Sequence, residues 1–203
     1  MHNATFPITR LLLVRHGETD ANVAGRMQGR GNDPLTERGQ QQARAVAARL
    51  KAEDHSIEAL YSSSLLRASQ TADAIGAALG LTPRLRDALQ EMHLGDLDGT
   101  DNLTLDAAMP QTLDESYPNG ESIREFVERT MGAFYGIAMA HPGSTVVIVS
   151  HGGVISTALS IWSHGHGNAW RDYVPANCAI STVEFQAGPQ VLHVNDCAHI
   201  AGE

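Results

Sequence analysis

Cysteine and long apolar runs are both scarce in this sequence, and each shortage excludes a class of protein. Only Cys178 and Cys197 occur among the 203 residues, too few for a disulfide scaffold and wrongly spaced for a zinc knuckle. No apolar run reaches the length of a membrane span, and the N-terminus lacks a basic stretch followed by an apolar core. Neither a transmembrane helix nor a secretory signal is therefore expected, and the predicted location is the reducing cytoplasm.

Basic residues are the next shortage. The 14 Lys and Arg residues are outnumbered by 23 Asp and Glu residues, which gives a formal net charge of −9. This balance opposes binding to nucleic acid or to an anionic membrane surface, so neither partner is expected. Residues 87–123 hold nine acidic residues and no Lys or Arg. An anionic substrate must therefore be held by cations from other parts of the chain.

The order of the predicted elements is that of an α/β protein. Strands are predicted at 10–15, 57–62 and 145–150, and helices from 36, at 65–79, at 121–140 and at 154–162. The irregular stretch at 95–118 is expected to form a long loop or a set of short helices. Strands that alternate with helices favour a mostly parallel sheet. No linker divides the chain, so a single domain over residues 1–203 is expected.

A hairpin is predicted near the C-terminus, with strands at 180–186 and 190–195 joined through Ala187-Gly188-Pro189. If Phe185 pairs with Gln190, Cys178 lies opposite Cys197, and a disulfide between them is then an alternative to two reduced thiols. A shift of one residue pair in the hairpin register removes that alternative.

Two predicted strands end at a histidine that is followed by glycine. The apolar run before Arg15-His16-Gly17 and the β-branched run before His151-Gly152-Gly153 both stop abruptly. Ligands of parallel sheets sit outside the carboxyl ends of the strands. Residues 62–67 follow a third strand and end at Arg67. The topology therefore predicts that the three segments meet at one site for an anion, most simply phosphate, with helix N-termini adding N–H donors.

Each of these residues has an ordinary structural interpretation when taken alone. A histidine after a strand is most often a satisfied structural residue, and Arg67 near a helix start is equally well a solvated arginine. The setting favours function, because Arg15 offers a charged fork that suits phosphate oxygens. Gly17 permits close backbone approach, and Asn22 adds a neutral donor on the same loop.

Five blocks in this order resemble the histidine phosphatase superfamily, which includes the cofactor-dependent phosphoglycerate mutases. The blocks are residues 15–39 with Arg15-His16-Gly17-Glu18-Thr19 and Asn22, residues 61–72 with Arg67, residues 91–99 with Glu91, Asn119-Gly120-Glu121-Ser122, and Ser150-His151-Gly152-Gly153. The ordered set covers nearly the whole chain and is highly specific. The resemblance implies a phosphoglycerate mutase-like fold, in which helices cover both faces of the sheet as a three-layer sandwich.

The resemblance also implies roles for individual residues. His16 is the expected nucleophile and must be neutral to attack phosphorus, which the neighbouring charge of Arg15 favours. Arg15, Arg67, Asn22 and His151 are expected to hold the phosphoryl oxygens, and His151, if protonated, adds positive charge there. Glu91 is the expected general acid and base, although as one of nine acids in its stretch it is otherwise a surface residue. No metal and no cofactor are expected, since positioning and charge can support phosphoryl transfer.

Gln28, Gly17 and Gly152 are further candidates for contact with the substrate, and for Gln28 a solvated loop amide is an equal alternative. His164 and His166 are two residues apart in a glycine-rich loop, which favours a mobile loop at the mouth of the site over a metal site.

The resemblance is closer to phosphatases than to glycolytic mutases. The mutases are longer chains with extra basic residues after the acid-bearing loop, and the matching stretch here has none. We therefore predict a metal-independent phosphatase for a small phosphorylated metabolite, with an acidic rim that favours a neutral or cationic substrate moiety. The alternatives are mutase-type phosphoryl transfer and a non-catalytic member that binds phosphate. A homodimer is compatible with such a domain.

Overall fold

A six-stranded mixed sheet forms the centre of the computed structural model, which describes residues 7–53 and 56–200. Its strands are β1 (Thr9–Arg15), β2 (Ile57–Ser63), β3 (Arg84–Arg86), β4 (Thr145–Ser150), β5 (Ile180–Phe185) and β6 (Pro189–Asp196), in the order β3-β2-β4-β1-β5-β6. The first four are parallel, and β5 and β6 add an antiparallel hairpin to the edge. The predicted α/β class is confirmed. Residues 1–6, the start of the stretch where no secretory signal is expected, lie outside the described residues.

Six α-helices accompany the sheet in the described part of the chain. They are α1 (Asp20–Val23), α2 (Glu37–Ala52), α3 (Leu66–Leu79), α4 (Asn102–Ala107), α5 (Ile123–Ala140) and α6 (Gly152–His164). Local signals set their ends. The Thr36 hydroxyl caps α2 by accepting from the Gly39 N–H, and Gly80 ends α3 in the left-handed region at φ 72°. The C-terminal glycine has no Cβ to resist that conformation.

Strand β1 shows why the helices cover both faces of the sheet. Its side chains alternate, so Leu11 and Leu13 pack in the core formed with α5 and α6. Leu12 and Val14 face the opposite way, into the core formed with α2 and α3. All four are essentially buried, as expected for a strand enclosed on both sides. The predicted three-layer arrangement is confirmed.

One short element escapes prediction. Strand β3 has only three residues, all exposed, and two of them are arginines, so no apolar pattern marks it. Helix α4 spans six residues inside the stretch 95–118, where a long loop or a set of short helices is expected. The longer helix α5 starts two residues later than predicted, because Ser122 forms a capping box with Glu125.

The hairpin register differs from the one on which the disulfide alternative depends. Phe185 pairs with Pro189 and not with Gln190, and two irregularities interrupt the ladder between Ile180 and Val183. The Cys197 thiol donates to the Asn195 carbonyl oxygen at 3.4 Å. Bulges shift the pairing in a way that counting outward from the turn does not anticipate.

None of the helices in residues 7–53 and 56–200 combines the length and apolarity that a bilayer crossing requires.

Candidate active site

The carboxyl ends of β2, β4 and β1 are neighbours in the sheet, so the three segments singled out in the sequence do meet. Arg15 pairs with Ser150 at the end of β1 and β4, and Ser62 of β2 lies opposite Val149. The rings of His16 and His151, which follow the first pair, have centroids 5.2 Å apart. The two histidines therefore share one site.

Hydrogen bonds to both ring nitrogens of His16 fix which of them carries the proton. Its Nδ1–H donates to its neighbour, the Gly17 carbonyl oxygen, at 2.7 Å, and Arg67 Nε–H donates to Nε2 at 3.2 Å. Because a guanidinium only donates, Nε2 must carry the lone pair and Nδ1 the proton. Burial lowers the pKa of His16 well below its ordinary value, and the charges of Arg67 and Arg15 lower it further. The ring is neutral at pH 7, as a nucleophile must be.

Arg67 is anchored beneath His16 by the backbone of the preceding loop. Its side chain is only 1% exposed, and its terminal nitrogens donate to the carbonyl oxygens of Gly31 at 2.5 Å and Gly29 at 2.9 Å. Burial lowers the pKa of Arg67 to about 10, so the group stays cationic at neutral pH.

Arg15 and His151 present nitrogens that have no partner. Arg15 Nη1 donates to the Pro175 carbonyl oxygen at 2.6 Å, but its Nε is buried without a hydrogen bond among the described residues. Nε2 of His151 lies 2.7 Å from the Ser63 hydroxyl, while the buried Nδ1 has no partner there either. Buried polar atoms are rarely left unsatisfied in proteins. Two of them beside a neutral histidine indicate room for an anion.

His151 adds positive charge to the site only if its ring is protonated. Burial lowers the pKa of His151 well below its ordinary value, and Arg67 and His16 lower it further. The ring is therefore neutral at pH 7 before an anion arrives. A neutral ring still supplies one N–H, and acceptance of the Ser63 proton at Nε2 would leave that N–H on Nδ1.

Glu91 lies at the N-terminus of α6. Its Oε2 accepts from the Gly153 N–H at 2.9 Å and its Oε1 from its own neighbour, the Met92 N–H, at 3.0 Å. A Cβ on Gly153 would lie 2.6 Å from Glu91 Oε1, so the carboxyl fits only because this residue is glycine. Glu91 and His16 line the same cavity.

Asn22 and Gln28 belong to a chain of side-chain amides beside His16. Asn177 Nδ2 donates to the Asn22 oxygen at 3.0 Å, Asn22 Nδ2 to the Gln28 oxygen at 3.3 Å, and Gln28 Nε2 to Asp33 at 3.0 Å. The network fixes the donors and acceptors of both predicted residues. Asn177 also donates to the His16 carbonyl oxygen at 3.0 Å; no motif in the sequence marks it.

The two predicted glycine contacts differ. A Cβ on Gly17 would lie 2.5 Å from the Gly39 carbonyl oxygen, and the Gly17 N–H donates to the Thr71 hydroxyl at 3.0 Å. The close approach at Gly17 is therefore to helix α2. Gly152 lines the cavity, and a Cβ there would lie 3.6 Å from the Arg15 guanidinium, an ordinary contact.

A cavity of about 1160 Å³ opens in front of these residues. Arg15, His16, Arg67 and Glu91 line its polar end, and the loop at His166 and Trp170 lines its mouth. The acidic rim expected from residues 87–123 is not formed, because only Glu91 and Asp106 of the nine carboxylates in that stretch line the cavity. Asp106 pairs with Arg171, and Asp101, Asp114 and Glu121 cap a helix or pair with arginines.

His164 and His166 lie close together but make other contacts. Their rings stack with centroids 5.9 Å apart, and His164 Nε2 lies 2.9 Å from the Tyr173 hydroxyl. Within residues 7–53 and 56–200, no group of three or more metal-ligating side chains lies together.

Comparison of the sequence and the fold with known proteins identifies one family. The model of the histidine phosphatase superfamily (branch 1) matches residues 11–197. The probable phosphoglycerate mutase GpmB of Cronobacter sakazakii is 36% identical over 188 residues, 89% of this chain and 86% of that protein. The uncharacterized phosphatase PhoE of Bacillus subtilis is 32% identical over 196 residues, 96% and 98% of the two chains. A mutant phosphoserine phosphatase of Entamoeba histolytica in complex with phosphoserine superposes with a TM-score of 0.82 at 28% identity, covering 95% of this chain and 99% of that one.

Proposed function

The chain belongs to the histidine phosphatase superfamily, and on that basis we propose that it hydrolyses phosphomonoesters through a phosphohistidine on His16, without a metal. The observation that carries the proposal is the pair of unpartnered buried nitrogens, Arg15 Nε and His151 Nδ1. They lie beside a histidine whose Nε2 holds a lone pair. Donors that await an acceptor and a neutral nucleophile together suit a phosphoryl group.

The reaction follows from these positions in two steps. His16 Nε2 attacks phosphorus, so that an N–P bond forms while the ester P–O bond breaks, and Glu91 gives a proton to the departing alkoxide. Glu91 then takes a proton from water, whose oxygen attacks phosphorus as the N–P bond breaks. Arg15 and Arg67 neutralise the charge on the phosphoryl oxygens throughout.

The test is hydrolysis of para-nitrophenyl phosphate between pH 5.5 and 7.5 in the presence of EDTA. We expect turnover that EDTA does not reduce, and a loss of about a thousandfold or more in kcat for His16→Ala. His193→Gln, on the exposed surface of β6, is the matched control and keeps wild-type activity. Activity that survives in His16→Ala removes His16 as nucleophile, and activity that EDTA abolishes removes the metal-free mechanism.

Mutase-type transfer is the second candidate, because the relative GpmB is named a probable phosphoglycerate mutase. A mutase returns the phosphoryl group to the same sugar acid, whereas a phosphatase gives it to water. Phosphorus NMR of the protein with 3-phosphoglycerate separates the two. Formation of 2-phosphoglycerate faster than free phosphate would favour the mutase, and free phosphate without the isomer the phosphatase.

The third interpretation of the same site is that the protein binds phosphate without catalysis. It predicts saturable binding of inorganic phosphate with no turnover of any ester. The presence of His16, both arginines and Glu91 in one cavity argues against it.

A further inference from the structure

The cavity changes character with distance from His16. Beyond the polar end, much of the wall is formed by apolar side chains from five segments of the chain: Met92, Leu105, Met109, Phe126, Ile161 and Trp170. Leu105 and Phe126 are 7% and 4% exposed, and the other four are partly buried. Thr157, His166 and Asn168 also line the cavity. A wall of this kind binds apolar groups through the hydrophobic effect.

The cations around this wall are mostly occupied. Arg171 pairs with Asp106 at 2.5 Å and lies over the Trp170 ring at 4.5 Å, which ties the mouth of the cavity together. Arg124 forms an ion pair with Asp114. Of the cavity's arginines beyond the polar end, Arg26 alone has no ion pair recorded among the described residues, and it is exposed at the rim. Of these arginines, exposed Arg26 would be open to a second anionic group on the substrate, whereas Arg124 and Arg171 would have to give up an existing ion pair.

We infer that the alcohol part of the substrate is apolar and bulky, of the size of a medium alkyl chain or an aryl ring. The inference rests on the proposed phosphatase function, because it assigns the leaving group to the apolar wall while the phosphoryl group occupies the polar end. The volume agrees, since about 1160 Å³ exceeds what a phosphate with a small polar alcohol fills. Sugar phosphates and phosphorylated hydroxy acids expose hydroxyls and carboxylates that this wall leaves without partners.

A series of straight-chain alkyl phosphates tests the inference. Ethyl, butyl and hexyl phosphate have leaving groups of nearly equal basicity, so differences in kcat/KM report burial of the chain and not the chemistry. We expect kcat/KM to rise roughly three- to fourfold for each methylene that reaches the wall. 3-Phosphoglycerate, with its carboxylate, should fall below butyl phosphate, although the two are comparable in size.

Two variants at and just beyond helix α4 test whether the apolar wall causes the rise in kcat/KM. Met109→Gln, just beyond the helix, places an amide on the wall and should lower the ratio of hexyl to ethyl kcat/KM by roughly tenfold. Leu103→Gln is the matched control, because Leu103 is 83% exposed and lies outside the cavity lining. It should keep the wild-type ratio. Thermal melting of both variants checks that each folds.

The outcomes distinguish failure of this inference from failure of the proposed phosphatase function. No turnover of any ester by the wild type overturns the phosphatase and this inference with it. Turnover that is flat along the series, or highest with 3-phosphoglycerate, leaves the phosphatase standing and overturns the apolar leaving group. A rising series whose slope survives in Met109→Gln overturns the assignment to this wall.

Discussion

The hydrogen bond from Arg67 to His16 has two effects on the nucleophile. It directs the lone pair of Nε2 toward the guanidinium and, through the nearby charge, lowers the pKa of the ring. The same lone pair cannot both accept from Arg67 and attack phosphorus. In the proposed reaction, substrate binding must therefore move the Arg67 Nε–H from His16 to a phosphoryl oxygen, which frees the proposed nucleophile when the substrate is present.

Gly153 gives a residue-scale prediction. In Gly153→Ala the new Cβ would lie 2.6 Å from Glu91 Oε1, so the carboxyl must move away. We expect kcat on hexyl phosphate to fall by about 10- to 100-fold, because an alkoxide needs protonation to leave. The loss on para-nitrophenyl phosphate should be much smaller, since that leaving group departs without a proton.

The control for Gly153→Ala is Gly132→Ala, a helical position in α5 where a new Cβ meets nothing within 4 Å. It should keep both activities. Equal losses on the two esters in Gly153→Ala would contradict the placement of Glu91 as the acid.

At this scale the sequence predicts which residues assemble but not how they are protonated. His16, Arg67 and His151 meet as expected. The neutral state of His151 depends on complete burial beside two cations, which no motif reports. The sequence assigns no specific role to Ser63 or Asn177, because Ser63 is only one member of the segment 62–67 expected at the site and Asn177 lies in a loop without pattern.

Among the elements, α5 fixes the loop that carries the acid. Arg129 of α5 donates to the carbonyl oxygens of Ala88 at 3.0 Å and Gln90 at 2.9 Å. It also pairs with Glu121 at 2.5 Å, with the two side chains only 19% and 12% exposed. Glu121 in turn accepts from the His93 N–H at 2.8 Å. One arginine thus holds the loop on both sides of Glu91.

Loss of this arginine should affect stability and catalysis together. Arg129→Gln removes the closest cation from the mostly buried Glu121 carboxylate and leaves two carbonyls without their donor, so we expect about 2–4 kcal/mol less free energy of unfolding. We also expect a lower kcat on alkyl phosphates, with KM changed less, since the phosphate-binding groups stay in place. Urea denaturation and steady-state kinetics measure the two effects.

The matched control is Arg124→Gln, which removes an exposed arginine of the same helix from its pair with Asp114. It should cost no more than about 1 kcal/mol. The role of Arg129 in holding the loop around Glu91 is refuted if both variants behave alike in the two assays.

Elements with regular periodicity were predicted well, and elements without it were not. The buried strand β4 has the predicted bounds, since a run of β-branched residues leaves little choice. Within residues 95–118 the sequence predicts only a long loop or a set of short helices, because the six-residue α4 is too short to show a clear period. That stretch supplies part of the cavity wall, which is why the sequence suggested an acidic rim where the structure has an apolar surface.

For the whole molecule, the buried histidines predict how stability depends on pH. The pKa values of His16 and His151 lie well below the ordinary value in the folded state, and that of the half-buried His199 is also lowered. Below about pH 6.5 the unfolded chain therefore binds more protons than the folded chain. The free energy of unfolding decreases as the pH is lowered, by up to about 1.4 kcal/mol per pH unit for each ring.

Urea denaturation at pH 7.5, 6.5 and 5.5 measures this dependence. We expect the urea concentration at the midpoint of unfolding to decrease from pH 6.5 to pH 5.5. In His16→Asn the midpoint should depend less on pH. His193→Gln, exposed on β6, should keep it. An unfolding free energy that is constant or rises toward pH 5.5 would show that these rings are not buried in neutral form.

The contact of Gly17 with Gly39 has a consequence for how this protein tolerates mutation. Backbone meets backbone there with no side chain between, and a Cβ on Gly39 would lie 2.1 Å from the Glu18 carbonyl oxygen. The contact between the two main chains therefore involves no side chain, while the Thr71 hydroxyl and the Gln42 amide oxygen accept from the Gly17 and Glu18 N–H groups beside it. The exposed side chains of α2 can change over generations without altering the contact itself, and its evolutionary constraint falls on two residues that have no side chain.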